Sequence, residues 1–256
     1  MTPLLIVTSF LASLLTLFSG FGLGTILMPV AALFFPVSTA VALTAFVHLL
    51  NNFFKLSLLW RHVHWPVVLR FGLPAMALAV PGAWLLARFS LMPDLYSYDL
   101  AGLAAEVTPV KLLAGFLLIV FATMEWLPFL NRFKVSLRWL PLGGALSGFF
   151  GGLTGHQGAF RSLFLVRAGL NQNQFVASNA AIASLVDMAR LIVYGLNIHL
   201  LFADVDATLL GMAAAASFAG VWLGTTFLKK MTITLIQKIV AVMLYLLGFL
   251  LMAGLI

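Results

Sequence analysis

The stretch from Gly151 to Ser162 reads GGLTGHQGAFRS and interrupts one of the most apolar regions of the chain. It is preceded by WLPLGGALSGFF and followed by LFLVRAG. Four glycines and the side chains of His156, Gln157 and Arg161 therefore stand where a continuous hydrophobic helix would otherwise be expected. Non-helical backbone is tolerated at membrane depth only where it is buried in protein or lines a wet cavity. The break therefore needs either a structural or a functional reason.

The composition predicts an all-α integral membrane protein. Of 256 residues, 63% are hydrophobic and only 8% are charged, whereas soluble domains are about 25% charged. Apolar stretches of about 20 residues favour helices over the ten-residue alternation of a membrane barrel. We expect the lipid bilayer as a partner and no nucleic acid, because a net charge of +7 fits basic cytoplasmic loops. The absence of cysteine excludes disulfides and thiol-based metal or haem sites.

The apolar segments divide into two halves, separated by the polar stretch 90–108. Each half contains a pair of segments too short to span the membrane alone, joined by SGFGLG (19–24) or by GGLTGHQG (151–158). Each half also contains three full-length segments. The predicted organisation is a first membrane repeat (1–89 and 109–131), an extracytoplasmic linker (90–108), a cytoplasmic loop (132–138) and a second membrane repeat (139–256).

Four short motifs recur in the same order in the two halves, which predicts an internal repeat. Each match is weak alone, because glycine and alanine are common in this chain. The first-half motifs are Ser19-Gly20-Phe21, Val41-Ala42-Leu43-Thr44, Asn52-x-x-Lys55 and Gly82-Ala83-Trp84-Leu85. The second-half motifs are Ser147-Gly148-Phe149, Val176-Ala177-Ser178-Asn179, Asp187-x-x-Arg190 and Gly220-Val221-Trp222-Leu223. Trp84 and Trp222 are predicted to pack inside the bundle.

The loop charges favour inverted repeats over parallel ones. The loop after 39–60 carries Arg61, whereas its counterpart carries Asp204 and Asp206. The linker 90–108 is acidic, whereas its counterpart carries two lysines at 229–230. Because basic loops remain in the cytoplasm, inversion places both termini outside the cytoplasm. Inversion also requires each glycine-broken pair to enter and leave on one side. The alternative, with each pair as one continuous span, gives parallel repeats.

The two glycine breaks predict an anion site between helical hairpins. Glycine allows a turn with positive φ and a close approach to the backbone. The second arms are predicted to begin at Thr25 and Ala159, and their free N–H groups and positive dipoles attract anions. The predicted substrate-binding residues are Gly22, Gly24, Thr25, Thr154, Gly155, His156, Gln157, Gly158 and Arg161. Two alternatives stay open: the glycines only permit close helix packing, or Arg161 extends to the cytoplasmic headgroups.

Further polar groups lie inside two full-length segments. His48, Asn52 and Lys55 share one helix face by their spacing of four and three residues. In the other half, Asn179, Asp187 and Arg190 occupy the segment 174–196. Ionisable groups at membrane depth are costly and mark functional sites by default. We predict that these six residues serve charge or proton coupling; the alternative is that Asp187 and Arg190 form a structural ion pair.

The first half, SGFGLGTILMPVAALFFP followed by STAVALTAFVHLLNNFFKLSLLW, resembles the sulfite exporter TauE/SafE family. The second half, from Ser147 to Gly195, resembles it too. The resemblance implies a secondary transporter of sulfur-containing anions, such as sulfite, sulfonates, sulfoacetate or thiosulfate, in the bacterial inner membrane. The polar tip from Gly155 to Arg161 departs from the family's usual small or proline-bearing arm, so the particular anion stays open.

Three classes of function compete. An anion permease working by alternating access explains the two glycine breaks and the positive charge between them. An enzyme would need a positioned acid–base or metal constellation, and we find no catalytic group, metal site or cofactor site in the sequence. A membrane assembly subunit without its own substrate would not need polar tips. A permease for an unrelated small anion and a homodimeric assembly are open alternatives.

Overall fold

The computed structural model describes residues 1–16, 23–100, 102–126, 136–165, 168–195, 205–227 and 233–256. Nearly all of these residues are helical, which confirms the all-α prediction. The helices are α1 (Thr2–Thr16), α2 (Leu23–Ala31), α3 (Val37–Leu59), α4 (Trp65–Val67), α5 (Leu73–Ser90), α6 (Pro109–Trp126), α7 (Leu140–Thr154), α8 (Gly158–Leu165), α9 (Gln172–Gly195), α10 (Ala207–Phe227) and α11 (Ile233–Met252). A π-helical turn, Val68–Gly72, joins α4 to α5, and short 3₁₀ turns lie at Trp60–His62 and Leu137–Trp139.

Among the described residues, four helical segments are long and apolar enough to cross a membrane: Val37–His62, Trp65–Ser90, Gln172–Gly195 and Ala207–Thr225. Three shorter apolar stretches lie at Thr2–Leu15, Pro109–Met124 and Ala241–Met252. A helix rises about 1.5 Å per residue, so the longer group, at 19 to 26 residues, can reach across a hydrocarbon core of about 30 Å. The protein is therefore a multi-pass membrane protein.

The linker contains secondary structure that the sequence analysis did not predict. Strands β1 (Tyr96–Leu100) and β2 (Leu103–Val107) pair antiparallel, with Tyr96 opposite Val107. Two hydrogen bonds hold this hairpin against the end of the chain. The Tyr98 hydroxyl donates to the Ala253 carbonyl at 2.6 Å, and the Glu106 N–H donates to the Gly254 carbonyl at 3.0 Å. The linker and the carboxyl terminus therefore lie on the same face of the bundle.

Helices α5 and α7 pack backbone to backbone through glycines spaced one turn apart. A Cβ at Gly144, Gly148 or Gly152 would collide with the backbone of Phe71, Ala75 or Ala79, respectively. Because both residue series increase together, α5 and α7 run parallel. Small residues permit this approach in membranes, where close van der Waals contact drives helix association. Of these three glycines, Gly152 belongs to the break 151–158, and close packing is its role in the structure.

The repeated motif around Gly82 and Gly220 has the same packing role in both halves. A Cβ at Gly82 on α5 would meet the Phe149 backbone on α7, and one at Gly220 on α10 would meet the Phe10 backbone on α1. The tryptophans that follow are exposed, Trp84 by 53% and Trp222 by 60%. The prediction that both tryptophans pack inside was wrong, because the outer surface of a membrane bundle is apolar as well.

Equivalent helices of the two halves also contact each other. Gly115 on α6 lies against Gly248 on α11, and the hydroxyls of Thr123 and Tyr245 hydrogen-bond at 2.8 Å. Along this contact the residue numbers of α6 increase while those of α11 decrease, so the two helices run antiparallel. Helices α1 and α7 each have 15 residues and hold equivalent places in the two halves. Residues 19–21, which the sequence analysis matched with 147–149, lie outside the described residues.

Candidate anion site at the helix-hairpin tip

The glycine-rich stretch 151–158 forms a sharp turn between α7 and α8. Helix α7 ends at Thr154, and Gly155 adopts the left-handed conformation with φ of 81°. The Gly155 N–H donates to the Gly151 carbonyl at 2.9 Å, which closes the helix end. Helix α8 begins at Gly158 and α2 at Leu23, one and two residues before the predicted starts. Glycine at 155 is thus required by backbone geometry rather than by packing.

Helix α8 folds back along α7. The Ser147 hydroxyl donates to the Gln157 carbonyl at 3.0 Å, which ties the middle of α7 to the turn. Further from the turn, the Phe164 ring near the end of α8 covers Gly143 near the start of α7. The second glycine-broken pair is therefore a helical hairpin, with the start of α7 and the end of α8 close together. In the first pair α1 packs against α2, while the connecting residue Gly22 lies outside the described residues.

The amino end of α2 meets the turn of the second hairpin. A Cβ placed on Gly24 would lie 3.4 Å from the Gly155 carbonyl oxygen and 3.5 Å from the Thr44 methyl group. The neighbouring Thr25 is 3% exposed. Gly24, at the end of the first glycine break, therefore lies beside Gly155 of the second break inside the bundle.

A hydrogen-bonded network joins this turn to α3 and α9. Asp187 on α9 is fully buried and interacts through both carboxylate oxygens. Its Oδ2 is 2.7 Å from Nδ1 of His48, and its Oδ1 is 2.7 Å from Nη2 of Arg190 and 3.0 Å from Nε of the same side chain. The Gln157 amide donates to Oδ1 at 3.3 Å. Four of the predicted site residues thus form one buried cluster.

The Asp187–Arg190 contact shows that the structural ion pair exists. It also supports the turn, because Arg190 Nη1 donates to the Gly151 carbonyl at 3.3 Å. A Cβ added at Gly155 would lie 3.0 Å from the same Nη1 atom. The ion pair therefore fixes the position of the glycine turn relative to α9.

Arg161 lies one turn into α8 and is completely buried. Its Nη1 donates to Oε1 of Gln157 at 3.1 Å. Among the described residues, its Nε and Nη2 atoms have no hydrogen-bond partner. The alternative that Arg161 extends to the membrane surface was therefore wrong. Its guanidinium lies inside the bundle, and its Nε and Nη2 atoms remain available as donors.

Lys55 adds a third buried cation to those of Arg161 and Arg190. Its side chain is 5% exposed and lies on the face of α3 that carries His48. No salt bridge joins Lys55 or Arg161 to a carboxylate within the described part of the chain. The cluster consequently contains three cationic side chains, of Lys55, Arg161 and Arg190, and one carboxylate, that of Asp187.

The remaining predicted residues lie close by without joining the network. Asn52 is buried one turn from His48 and Lys55, and its Nδ2 finds no partner among the described residues. Asn179 is partly buried on α9, and within the described part of the chain no hydrogen bond connects it to the cluster. The Thr154 hydroxyl donates a hydrogen bond to the Phe150 carbonyl at 3.3 Å, so it is not the free donor that the sequence suggested.

Two residues were missed by the sequence analysis. The Tyr194 hydroxyl is buried and donates to the Gly152 carbonyl at 2.7 Å. Its position, four residues after Arg190 and seven after Asp187, places it on their helix face, so the spacing contained this signal. Phe121 on α6 stacks on the His156 ring with centroids 5.8 Å apart, and no sequence pattern indicated that contact. His156 Nδ1 in turn lies 3.0 Å from the Thr154 carbonyl oxygen.

The comparisons with known proteins agree with the resemblance noted in the sequence. Residues 5–251 match the family described as Sulfite exporter TauE/SafE. No curated protein and no solved structure matches the chain. Because the matched range covers nearly all 256 residues, the chain belongs to the sulfite exporter TauE/SafE family of membrane transporters.

Proposed function

We propose that this protein is a secondary transporter of sulfur-containing anions, such as sulfite, sulfonates, sulfoacetate or thiosulfate, and that it binds them at the meeting point of its two glycine breaks. One observation carries the proposal: two nitrogens of the buried Arg161 guanidinium, Nε and Nη2, have no hydrogen-bond partner in the described chain. The family match supports the general class of cargo.

The chemistry of Arg161 suits an oxyanion. A buried charge without a counter-charge is costly, so a site that retains one gains most from a ligand of opposite sign. The planar guanidinium offers parallel N–H donors that match two oxygens on one central atom. The amino terminus of α8 adds the positive dipole of a helix start. Sulfite and sulfonate groups present such paired oxygens.

We further propose that the repeats are inverted and that they work by alternating access. The antiparallel contact of α6 with α11 supports inversion, because equivalent helices of inverted repeats run in opposite directions. The fold-back of α8 on α7 supports the odd number of crossings that inversion needs. In inverted-repeat transporters, broken helices bind the substrate at the repeat interface, which is where Gly24 approaches Gly155.

A location in the bacterial inner membrane, with both termini outside the cytoplasm, completes the proposal. The contact of the linker with Ala253 and Gly254 supports one shared side for the linker and the carboxyl terminus. Exposed Arg61 and Arg138 belong to loops that we assign to the cytoplasm, following the bias of basic residues toward that side.

Counterflow of radiolabelled sulfite in proteoliposomes tests the function directly. We expect the native protein to exchange internal sulfite for external label, and Arg161→Ala to abolish exchange. The matched control is Lys238→Ala, which removes an exposed cation on α11 and should leave exchange intact. Absence of exchange for sulfite, thiosulfate and sulfoacetate by the native protein would favour an assembly subunit or an unrelated cargo.

A further inference from the structure

The cluster carries more positive charge than one singly charged anion cancels. Arg190 is paired with Asp187 at 2.7 Å, so these two charges offset each other. Arg161 and Lys55 are both buried, and neither has a carboxylate within ion-pair distance among the described residues. His48 faces Asp187, and whether its ring is neutral or protonated, it does not reduce the positive excess. Two buried cations are therefore left over.

These two cations act on each other. Lys55 is buried on the face of α3 that carries His48, whose ring contacts the same cluster as Arg161, and like charges at low dielectric raise each other's burial cost. A singly charged ligand offsets only one of them and leaves the other buried and uncompensated. A doubly charged ligand of the same shape offsets both. The difference in binding free energy between the two ligands is large in a desolvated site, because charges interact more strongly there than in water.

We propose that the site selects doubly charged oxyanions over singly charged oxyanions of the same shape, and that Lys55 determines this selectivity. The inference rests on the proposed function, because it assumes that the anion binds at Arg161. It divides the proposed cargo into two groups: sulfite, thiosulfate and sulfoacetate carry two negative charges, whereas simple sulfonates carry one. The first group should bind more tightly.

Sulfite and methanesulfinate provide a matched pair of probes. Both are pyramidal at sulfur, and they differ mainly by one oxygen replaced by a methyl group and by one unit of charge. We would measure their dissociation constants on the purified full-length protein at near-neutral pH, with the sulfite affinity calculated for the dianion and with ionic strength held constant by chloride. The variants are Lys55→Met, Lys55→Arg and the exposed control Lys238→Met.

We expect the native protein and Lys238→Met to bind sulfite at least about tenfold more tightly than methanesulfinate, a ratio that corresponds to ~1.4 kcal/mol. Lys55→Met should bring the two constants within about threefold, mainly by weakening sulfite. Lys55→Arg should retain the preference, because it keeps the charge. Replacing a lone buried ammonium by an apolar chain of similar size is not expected to unfold the protein.

The results separate this inference from the proposed function. Equal affinity of the native protein for both probes would overturn the dianion selectivity while leaving the Arg161 site standing. A sulfite preference that survives in Lys55→Met would overturn the role of Lys55. A native protein that binds neither sulfite nor methanesulfinate would contradict the proposed function itself, and the inference with it.

Discussion

At the scale of single residues, Arg161 and Arg190 carry the same charge in one cluster but differ in their partners. Arg190 is ion-paired with Asp187 and also donates a hydrogen bond to the Gly151 carbonyl. Arg161 donates one hydrogen bond, to Gln157, and its Nε and Nη2 atoms have no partner within the described chain. The paired arginine therefore holds the architecture, and the unpaired one is available to a ligand.

Asp187 is the single carboxylate in this described cluster, so its removal should be costly. Asp187→Asn leaves Arg190 buried without a counter-charge and weakens the contact with His48. Breaking a buried pair in this way costs about 3–5 kcal/mol. We expect a clear fall in the thermal unfolding midpoint of the detergent-solubilised protein, whereas Asp94→Asn, at an exposed linker carboxylate, should change stability by less than about 0.5 kcal/mol. Equal midpoints for the two variants would show that the network contributes no stability.

At the scale of helices, glycine has two separate roles in α7 and the turn that follows. Gly144, Gly148 and Gly152 lie on the face against α5, where any side chain would meet backbone. Gly155 occupies the left-handed turn. The sequence alone did not distinguish packing from turning, because both roles need the same residue for different physical reasons.

Substituting alanine at two helical glycines should give effects of opposite sign. Gly148→Ala forces a Cβ into the Ala75 backbone and should destabilise the protein by about 1–3 kcal/mol, as overpacking does. Gly211→Ala on α10 places the same atom in open space and should stabilise by up to about 1 kcal/mol, since alanine is the better helix former. Thermal unfolding of both variants checks this difference. Equal unfolding midpoints for Gly148→Ala and Gly211→Ala would argue against tight α5–α7 contact.

At the scale of the whole molecule, the two halves contribute reciprocal parts of one bundle. Helix α1 of the first half packs on α10 of the second, and α7 of the second half packs on α5 of the first. Helices α3 and α9 meet at the centre, where His48 contacts Asp187. The site is therefore shared between the halves, so a relative movement of the repeats changes its surroundings from both sides.

The orientation of the bundle can be tested with single cysteines, because the native chain has none. We predict that Asp94→Cys in the linker reacts with a membrane-impermeant maleimide in intact spheroplasts. Arg138→Cys, which is also exposed, should react only in inverted vesicles. The matched control is labelling of both variants after detergent solubilisation. Reaction of both cysteines from the same side, or the reverse sidedness, would contradict the assigned orientation.

Much of the site could be predicted from the sequence, because polar residues and glycines inside apolar segments are physically unusual. On that ground the sequence alone indicates His156, Gln157, Arg161, Asp187 and Lys55 as candidate site residues. It did not predict which groups touch, since the bond from His48 to Asp187 spans 139 positions. The spacing of the polar groups places them on helix faces but does not say which faces meet.

The tryptophans show where sequence reasoning fails for a physical reason. In a soluble protein, a large apolar side chain in a repeated motif usually lies inside. In a bilayer, the solvent is as apolar as the core, so hydrophobicity does not separate the two surfaces. Trp84 and Trp222 accordingly lie on the outer surface, while small residues beside them make the internal contacts. The β-hairpin of the linker was missed because its short strands carry little hydrophobic alternation.

Binding of a sulfur oxyanion at Arg161 underlies the whole proposed mechanism, and thermal unfolding of the purified protein against sulfite tests that binding. A ligand that binds only the folded state raises stability by mass action, by ~2.7 kcal/mol at a hundredfold excess over its dissociation constant. We predict a concentration-dependent rise in the midpoint for the native protein and for Lys238→Ala, no rise with chloride at equal ionic strength, and loss of the rise in Arg161→Ala. A midpoint that does not respond to sulfite in the native protein, or that rises equally in Arg161→Ala, would contradict binding at this site.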